Sequence, residues 1–143
     1  ADFSHNPKYI NDAILLINEG CDIACGSRYT NQAETKEKSF FRNFISIGGN
    51  LFINLILGDD LKDWTGGFNT YTKNALEKIN LNKITVKGYI FQTIMKYRAI
   101  KKQCIVKEFP IVFEERKNGK SKMSAKIIIE AFLTVLKLPF EKL

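Results

Sequence analysis

Four stretches of this chain combine residue types that can do chemistry. Asp2, in Ala1-Asp2-Phe3-Ser4-His5, stands just before a helical pattern, where a carboxylate suits either a helix cap or a divalent cation. Arg28, in Gly26-Ser27-Arg28-Tyr29, leaves an apolar run that reads as a strand. An arginine there points toward the crevice where open α/β sheets bind ligands, and its guanidinium can clamp a phosphate through two parallel hydrogen bonds. A solvated surface arginine would have the same local sequence. Asp63-Trp64-Thr65-Gly66-Gly67-Phe68 sets an acid, a hydroxyl and two glycines between apolar segments, the composition of a loop whose backbone approaches a ligand, or of an ordinary turn capped by Asp63. Arg116-Lys117-Asn118-Gly119-Lys120-Ser121-Lys122 holds four cations and a glycine, suited to a diphosphate, a nucleic-acid backbone or plain solvent.

The elements that must position these residues follow from periodicity. Residues 7–19 read as a helix, with Pro7 in its first turn, a stripe including Ile10, Ile14 and Ile17, and Gly20 at its end. Residues 22–27 read as a buried parallel strand, and 28–38 as a polar loop. A helical pattern spans 39–57, with Gly48-Gly49-Asn50 as a break between two helices. A loop over 58–68, a short strand over 69–71 and a helix over 73–79 follow. A helix over 89–102, a strand over 104–114, the basic loop and an apolar helix over 123–138 complete the chain. Alternating helices and strands make the class α/β.

Composition narrows the partners. The net charge of +7 favours anionic ones: nucleic acid, phosphorylated metabolites or anionic lipid headgroups. A nucleic-acid-binding domain would interleave aromatics with cations on one face, whereas here the aromatics fall on apolar helix stripes, so nucleic acid is not expected as a partner. Cys21, Cys25 and Cys104 have neither disulfide-framework spacing nor, with His5 as the sole histidine, a zinc ligand set, and they read as buried free thiols. No signal peptide is visible, and no run reaches the ~18 apolar residues of a spanning helix.

Taken together and in order, the segments are more specific than any one alone. The chain resembles the polyprenol-phosphate sugar transferases, the dolichol-phosphate mannosyltransferase-like branch of the inverting family 2 glycosyltransferases. Their Asp-x-Asp-x-Ser/Gln-His-x-Pro motif is matched in part by Ala1-Asp2-Phe3-Ser4-His5-Asn6-Pro7. Gly26-Ser27-Arg28-Tyr29, Asp63-x-Thr65-x-Gly67-Phe68, Gly88-Tyr89-x-Phe91-Gln92, Glu108-x-Pro110-Ile111-x-Phe113 and Arg116-x-x-Gly119-x-Ser121-Lys122 match the rest. The resemblance implies a GT-A fold, with residues 1–143 as the C-terminal, acceptor-side portion of one catalytic domain and the nucleotide-binding half outside the chain. On that expectation the chain alone is inactive.

The resemblance also implies roles. Asp2 would ligate Mg²⁺ or Mn²⁺, with Ser4 as a further polar ligand. Arg28 and Arg42 would hold the acceptor phosphate, joined by Ser46 one helical turn after Arg42. Arg116 and Lys122 would close over the donor diphosphate, and Asp63 would stand beside the anomeric carbon as a catalytic carboxylate. The implied reaction is inverting transfer of a hexose from a nucleotide-sugar to a polyprenyl or dolichyl monophosphate. GDP-mannose is favoured as donor over UDP-glucose, and a saccharide acceptor is the sibling reading. The apolar segments at 40–57 and 127–138 become, in this context, amphipathic helices lying in the headgroup layer on the cytoplasmic face of a membrane.

Overall fold

The computed structural model describes residues 5–31, 33–36, 40–84, 86, 88, 90–114 and 125–141. In chain order these form α1 (Tyr9–Asn18), β1 (Ile23–Ser27), β2 (Glu34–Lys36), α2 (Phe40–Leu57), β3 (Asn69–Tyr71) and α3 (Lys73–Ile79). A 3-10 turn (Leu81–Lys83), α4 (Ile90–Lys101), β4 (Val106–Pro110), β5 (Val112–Glu114), α5 (Ala125–Lys137) and a second 3-10 turn (Leu138–Phe140) follow. The class is mixed α/β, as the alternation of patterns predicts.

β1 is the middle strand of a three-stranded sheet ordered β3-β1-β4, parallel to β4 and antiparallel to β3. All five of its residues are buried. A strand covered on both faces needs an apolar or small residue at every position, which explains the unbroken run Ile23-Ala24-Cys25-Gly26-Ser27. Its side chains alternate between two cores. Ile23 and Cys25 pack with Ala75 and Ile79 of α3 and with Met95 and Ala99 of α4. Ala24 packs with Tyr9 and Ala13 of α1 and with Phe109 and Ile111. A third core joins Ile53 and Leu57 of α2, Trp64, Ile94 and Tyr97 of α4, and Val135 and Leu138 beyond. α4 is therefore enclosed, and Thr93 through Ala99 are buried without interruption.

Three expectations change. α2 runs unbroken through Gly48-Gly49-Asn50. Two helical glycines cost about 1 kcal/mol each relative to alanine, and the burial of Ile53 and Leu57 against the core offsets this. Asn50 is not a breaker: its Nδ2 donates to the Ser46 carbonyl at 2.9 Å and its Oδ1 accepts from the Trp64 N–H at 2.7 Å. The strand over 104–114 divides at Ile111, whose N–H bonds the Ser27 carbonyl at 3.0 Å before β5 leaves the sheet. β5 pairs in parallel with β2, which lies inside the stretch expected to be loop. Glu34-Thr35-Lys36 has no apolar alternation to mark it as a strand.

The three cysteines are free and buried, as expected. Burial pushes the Cys25 thiol up to about 11, with Lys96 partly opposing.

Candidate functional site

Arg28 is the first residue beyond β1, and Gly26 fixes how the chain leaves that strand. A Cβ at Gly26 would lie 3.0 Å from the Ile111 and Phe68 side chains and 3.1 Å from the Phe68 carbonyl, so any larger residue would crowd this approach. The Gly26 N–H bonds that same carbonyl at 2.8 Å, drawing the end of the Asp63–Phe68 loop against the strand.

Arg28 and Asp63, 35 residues apart in sequence, form the centre of the site. Arg28 Nε donates to Asp63 Oδ2 at 2.7 Å and Nη2 donates to Oδ1 at 2.8 Å, a two-pronged pair. The Arg28 backbone N–H adds a bond to Oδ2 at 3.1 Å, and Nη2 also donates to Thr65 Oγ1 at 2.7 Å. Asp63 Oδ1 further accepts the Gly66 N–H at 2.8 Å. The Asp63 side chain is 0% exposed. Burial by itself raises its pKa; the hydrogen bonds and charge of Arg28, with the charge of Lys96, outweigh that and hold the carboxyl below its usual range.

Three elements clamp the loop that carries Asp63. From β4, Glu108 accepts the Lys62 and Asp63 N–H groups at 2.9 and 2.8 Å. From α2, Asn50 accepts the Trp64 N–H, and Asn54 accepts from the Trp64 indole. From α4, Lys96 Nζ donates to the Asp63 carbonyl at 2.6 Å and to the Gly66 carbonyl at 3.3 Å. Gly66 is required by space as well: a Cβ there would sit 3.0 Å from Asp63 Oδ2 and 3.1 Å from the Gly26 carbonyl.

The neighbouring contacts tie further motif residues to this centre. Tyr29 donates its hydroxyl to Ser46 Oγ at 2.8 Å, joining α2 to the turn after β1. Asn69 Nδ2 bridges the Gly66 carbonyl at 2.9 Å and Gln92 Oε1 at 3.0 Å. The Arg28 guanidinium lies over the Tyr29 and Phe113 rings, 5.2 and 5.8 Å from their centroids. Of the residues singled out from sequence, Arg28, Asp63 and Ser46 thus fall in one neighbourhood. Arg42 lies in α2, and its side chain is outside the described residues. Asp2, Ser4, Arg116 and Lys122 are also outside them. Among the described residues no group of three or more His, Cys, Asp or Glu side chains is arranged to hold a metal ion.

Four motifs scattered along the chain therefore meet at one loop, the convergence expected of a shared ancestral site rather than of chance matches. Comparison with known proteins agrees. The chain is 37% identical over 135 residues to a polyprenol monophosphomannose synthase of Mycolicibacterium smegmatis, covering 94% of this chain and 51% of that protein. It is 35% identical, again over 94% of its length, to an undecaprenyl-phosphate mannosyltransferase of Micrococcus luteus, of which it covers 55%.

Over nearly its whole length the chain is similar to these two polyprenol-phosphate mannosyltransferases. It spans about half the length of the curated relatives it matches. No family model matches it. Within the family's motifs, the arginine of Gly-Ser-Arg-Tyr and the aspartate of Asp-x-Thr-x-Gly-Phe are the pair at the centre of the site. The glutamate of Glu-x-Pro-Ile-x-Phe holds their loop.

Sequence reading missed Lys96, Asn50 and Asn54. A signal existed for each. Lys96 stands between the apolar Met95 and Tyr97 of a helical stretch, and Asn50 and Asn54 stand four residues apart, on one side of an apolar helix.

A second surface lies on α2 and α5. Phe44, Ile47, Leu51 and Leu55 are exposed along α2, Leu55 to 80%. Ile129, Phe132, Leu133 and Leu136 are exposed along α5, and Phe140 beyond it to 86%. Phe52 and Phe132 stack with centroids 4.1 Å apart, so the two helices lie side by side. Among the described residues no helix is long and apolar enough to cross a membrane.

Proposed function

We propose that this chain is the acceptor-side portion of a glycosyltransferase that transfers mannose from a nucleotide-sugar to a polyprenyl monophosphate at a membrane surface. The observation that carries the reading is the Arg28–Asp63 pair, built by two separated family motifs at the end of the central strand. The mixed α/β sheet fits the acceptor half of a GT-A fold, and residues 1–143 are then part of one catalytic domain. Mannose is the sugar that both relatives are named for, and GDP-mannose is the donor we assign.

A lipid monophosphate needs little activation. Its second pKa is ~6, so it is largely dianionic near neutral pH. A phosphate oxygen attacks the sugar C1, the nucleoside diphosphate departs, and the configuration inverts. The difficulty is bringing two anions together, and cations that align and screen them supply most of the catalysis. Arg28 would grip the acceptor phosphate, with Arg42 one turn before Ser46 in α2. Arg116 and Lys122 would take the donor diphosphate. Asp63, whose two oxygens accept from Arg28 and Gly66 and whose pKa is depressed, suits orienting that arginine better than removing a proton. Asp2 and Ser4 offer the oxygen ligands that Mg²⁺ or Mn²⁺ prefers. Such an ion, when bound, neutralises the departing diphosphate as a Lewis acid.

The exposed apolar rows of α2 and α5 support a membrane-surface position, with both helices lying in the headgroup layer of the cytoplasmic face. α2 also carries Ser46, which bonds Tyr29 beside Arg28, so the phosphate site stands next to the lipid-facing helix. The test is mannose transfer to a polyprenyl phosphate by the full-length protein. Arg28→Ala is expected to lower the rate by two orders of magnitude or about that, the scale of losing one charge-stabilising donor. Undiminished transfer would remove Arg28 from the mechanism.

A further inference from the structure

Lys96 is the one lysine among the fully buried side chains of the described residues, with 0% exposure. A buried ammonium is costly unless paired and hydrogen-bonded. Its position follows from the enclosure of α4. Ile94 and Tyr97 face the core shared with α2 and α5. Met95 and Ala99 face the sheet. The remaining side meets the backbone of the Asp63–Gly66 turn, where carbonyl oxygens require donors. Lys96 Nζ supplies them, at 2.6 Å to the Asp63 carbonyl and 3.3 Å to the Gly66 carbonyl.

We infer that Lys96 is a positioning residue for the phosphate-binding arginine: its buried charge closes the Asp63–Gly66 turn and balances the Asp63 carboxylate, leaving Arg28 able to attract a phosphate monoester. The inference rests on the acceptor-phosphate reading of Arg28. The charge argument is specific to this site. Asp63 is the fully buried carboxylate of the turn, and among the described residues Arg28 is the side-chain cation that bonds it. Glu108, half-buried, directs both oxygens to the Lys62 and Asp63 N–H groups and adds a second carboxylate to the same loop. Without Lys96, the loop would carry two carboxylates against the Arg28 guanidinium, and the field of Arg28 at an incoming dianion would be weakened. The Lys96 charge also acts on the Asp63 carboxyl in the lowering direction.

The experiment uses the wild-type protein, Lys96→Met, Lys96→Gln and the double variant Lys96→Met with Asp63→Asn. Calorimetric titration with farnesyl phosphate in dilute neutral-detergent micelles reads affinity, and circular dichroism reads folding. Lys96→Gln keeps an N–H donor and removes the charge. Both single variants are expected to bind at least about tenfold more weakly, the lower end of what removing one partner of a buried charge network costs. The double variant, which removes the uncompensated carboxylate, is expected to fold even where Lys96→Met does not. In carboxyl ¹³C NMR the Asp63 midpoint is expected to rise in Lys96→Gln. Wild-type affinity in Lys96→Gln, or a double variant that folds no better than Lys96→Met, would overturn the inference while the phosphate reading stands. Failure of the wild-type protein to bind farnesyl phosphate would overturn both.

Discussion

The Arg28–Asp63 pair is buried on the acid's side and nearly so on the arginine's, and that decides how it responds to change. Breaking a buried pair strands the other charge, so Asp63→Ala is expected to destabilise the protein by about 3 kcal/mol or more, read from urea unfolding at neutral pH. The depressed pKa of Asp63 gives the pH dependence its sign. The stabilisation it brings is present above the ordinary carboxylate pKa of about 4 and is lost as pH falls through the lower, folded-state value. The stability gap between wild type and Asp63→Ala is therefore expected to narrow in acid; a gap that widened there would contradict the assignment. Cys25 is a second residue-scale case. With its thiol pushed up to about 11 and its side chain buried, it is expected to resist alkylation at pH 8 until the protein unfolds, as measured by mass spectrometry. Residue types and spacing made Arg28 and Asp63 legible, because each sits in a motif. They could not reveal that the two bond each other, since that contact depends on a strand end and a loop meeting across 35 positions.

Elements were easier to read than their interruptions. Every helix expected from apolar periodicity exists, but α1 buries Tyr9 and Ala13 and leaves Ile10 and Ile14 of the expected stripe exposed. The break at Gly48-Gly49-Asn50 does not exist, because tertiary packing of α2 outweighs glycine's propensity and Asn50 bonds across to Trp64. β2 escaped notice because its polar residues form a strand only when β5 lies beside them. Two predictions belong here. Gly66→Ala is expected to cost about 1–3 kcal/mol, since its Cβ would press on Asp63 and the Gly26 carbonyl, neither of which can withdraw without loosening the Arg28 pair. Thermal unfolding checks it, and an unchanged midpoint would mean the loop yields. On α2, Phe44, Leu51 and Leu55 already face solvent, so changing all three to serine is expected to move stability by no more than about 0.5 kcal/mol per site. The same triple change is expected to lower association with phosphatidylglycerol vesicles severalfold in a flotation assay, and equal flotation would detach α2 from the membrane.

At the scale of the whole molecule, four packed layers bring one polar site and one apolar surface together. The sheet lies between α1 and the α3–α4 pair, and α2 with α5 packs beyond α4. The resemblance and the α/β class were legible from the ordered motifs, four of which build a single loop and its clamps. The clamps themselves were not, because Lys96, Asn50 and Asn54 resemble ordinary helix residues until the loop is laid against them. The central claim is that this chain presents a lipid-phosphate site, centred on Arg28, at a membrane. Its most direct test is binding to phosphatidylcholine vesicles with and without a few per cent of undecaprenyl phosphate, compared for wild type and Arg28→Ala. The account predicts tighter binding when the lipid phosphate is present and loss of that difference in Arg28→Ala. Equal binding to both vesicles by the wild-type protein would contradict it.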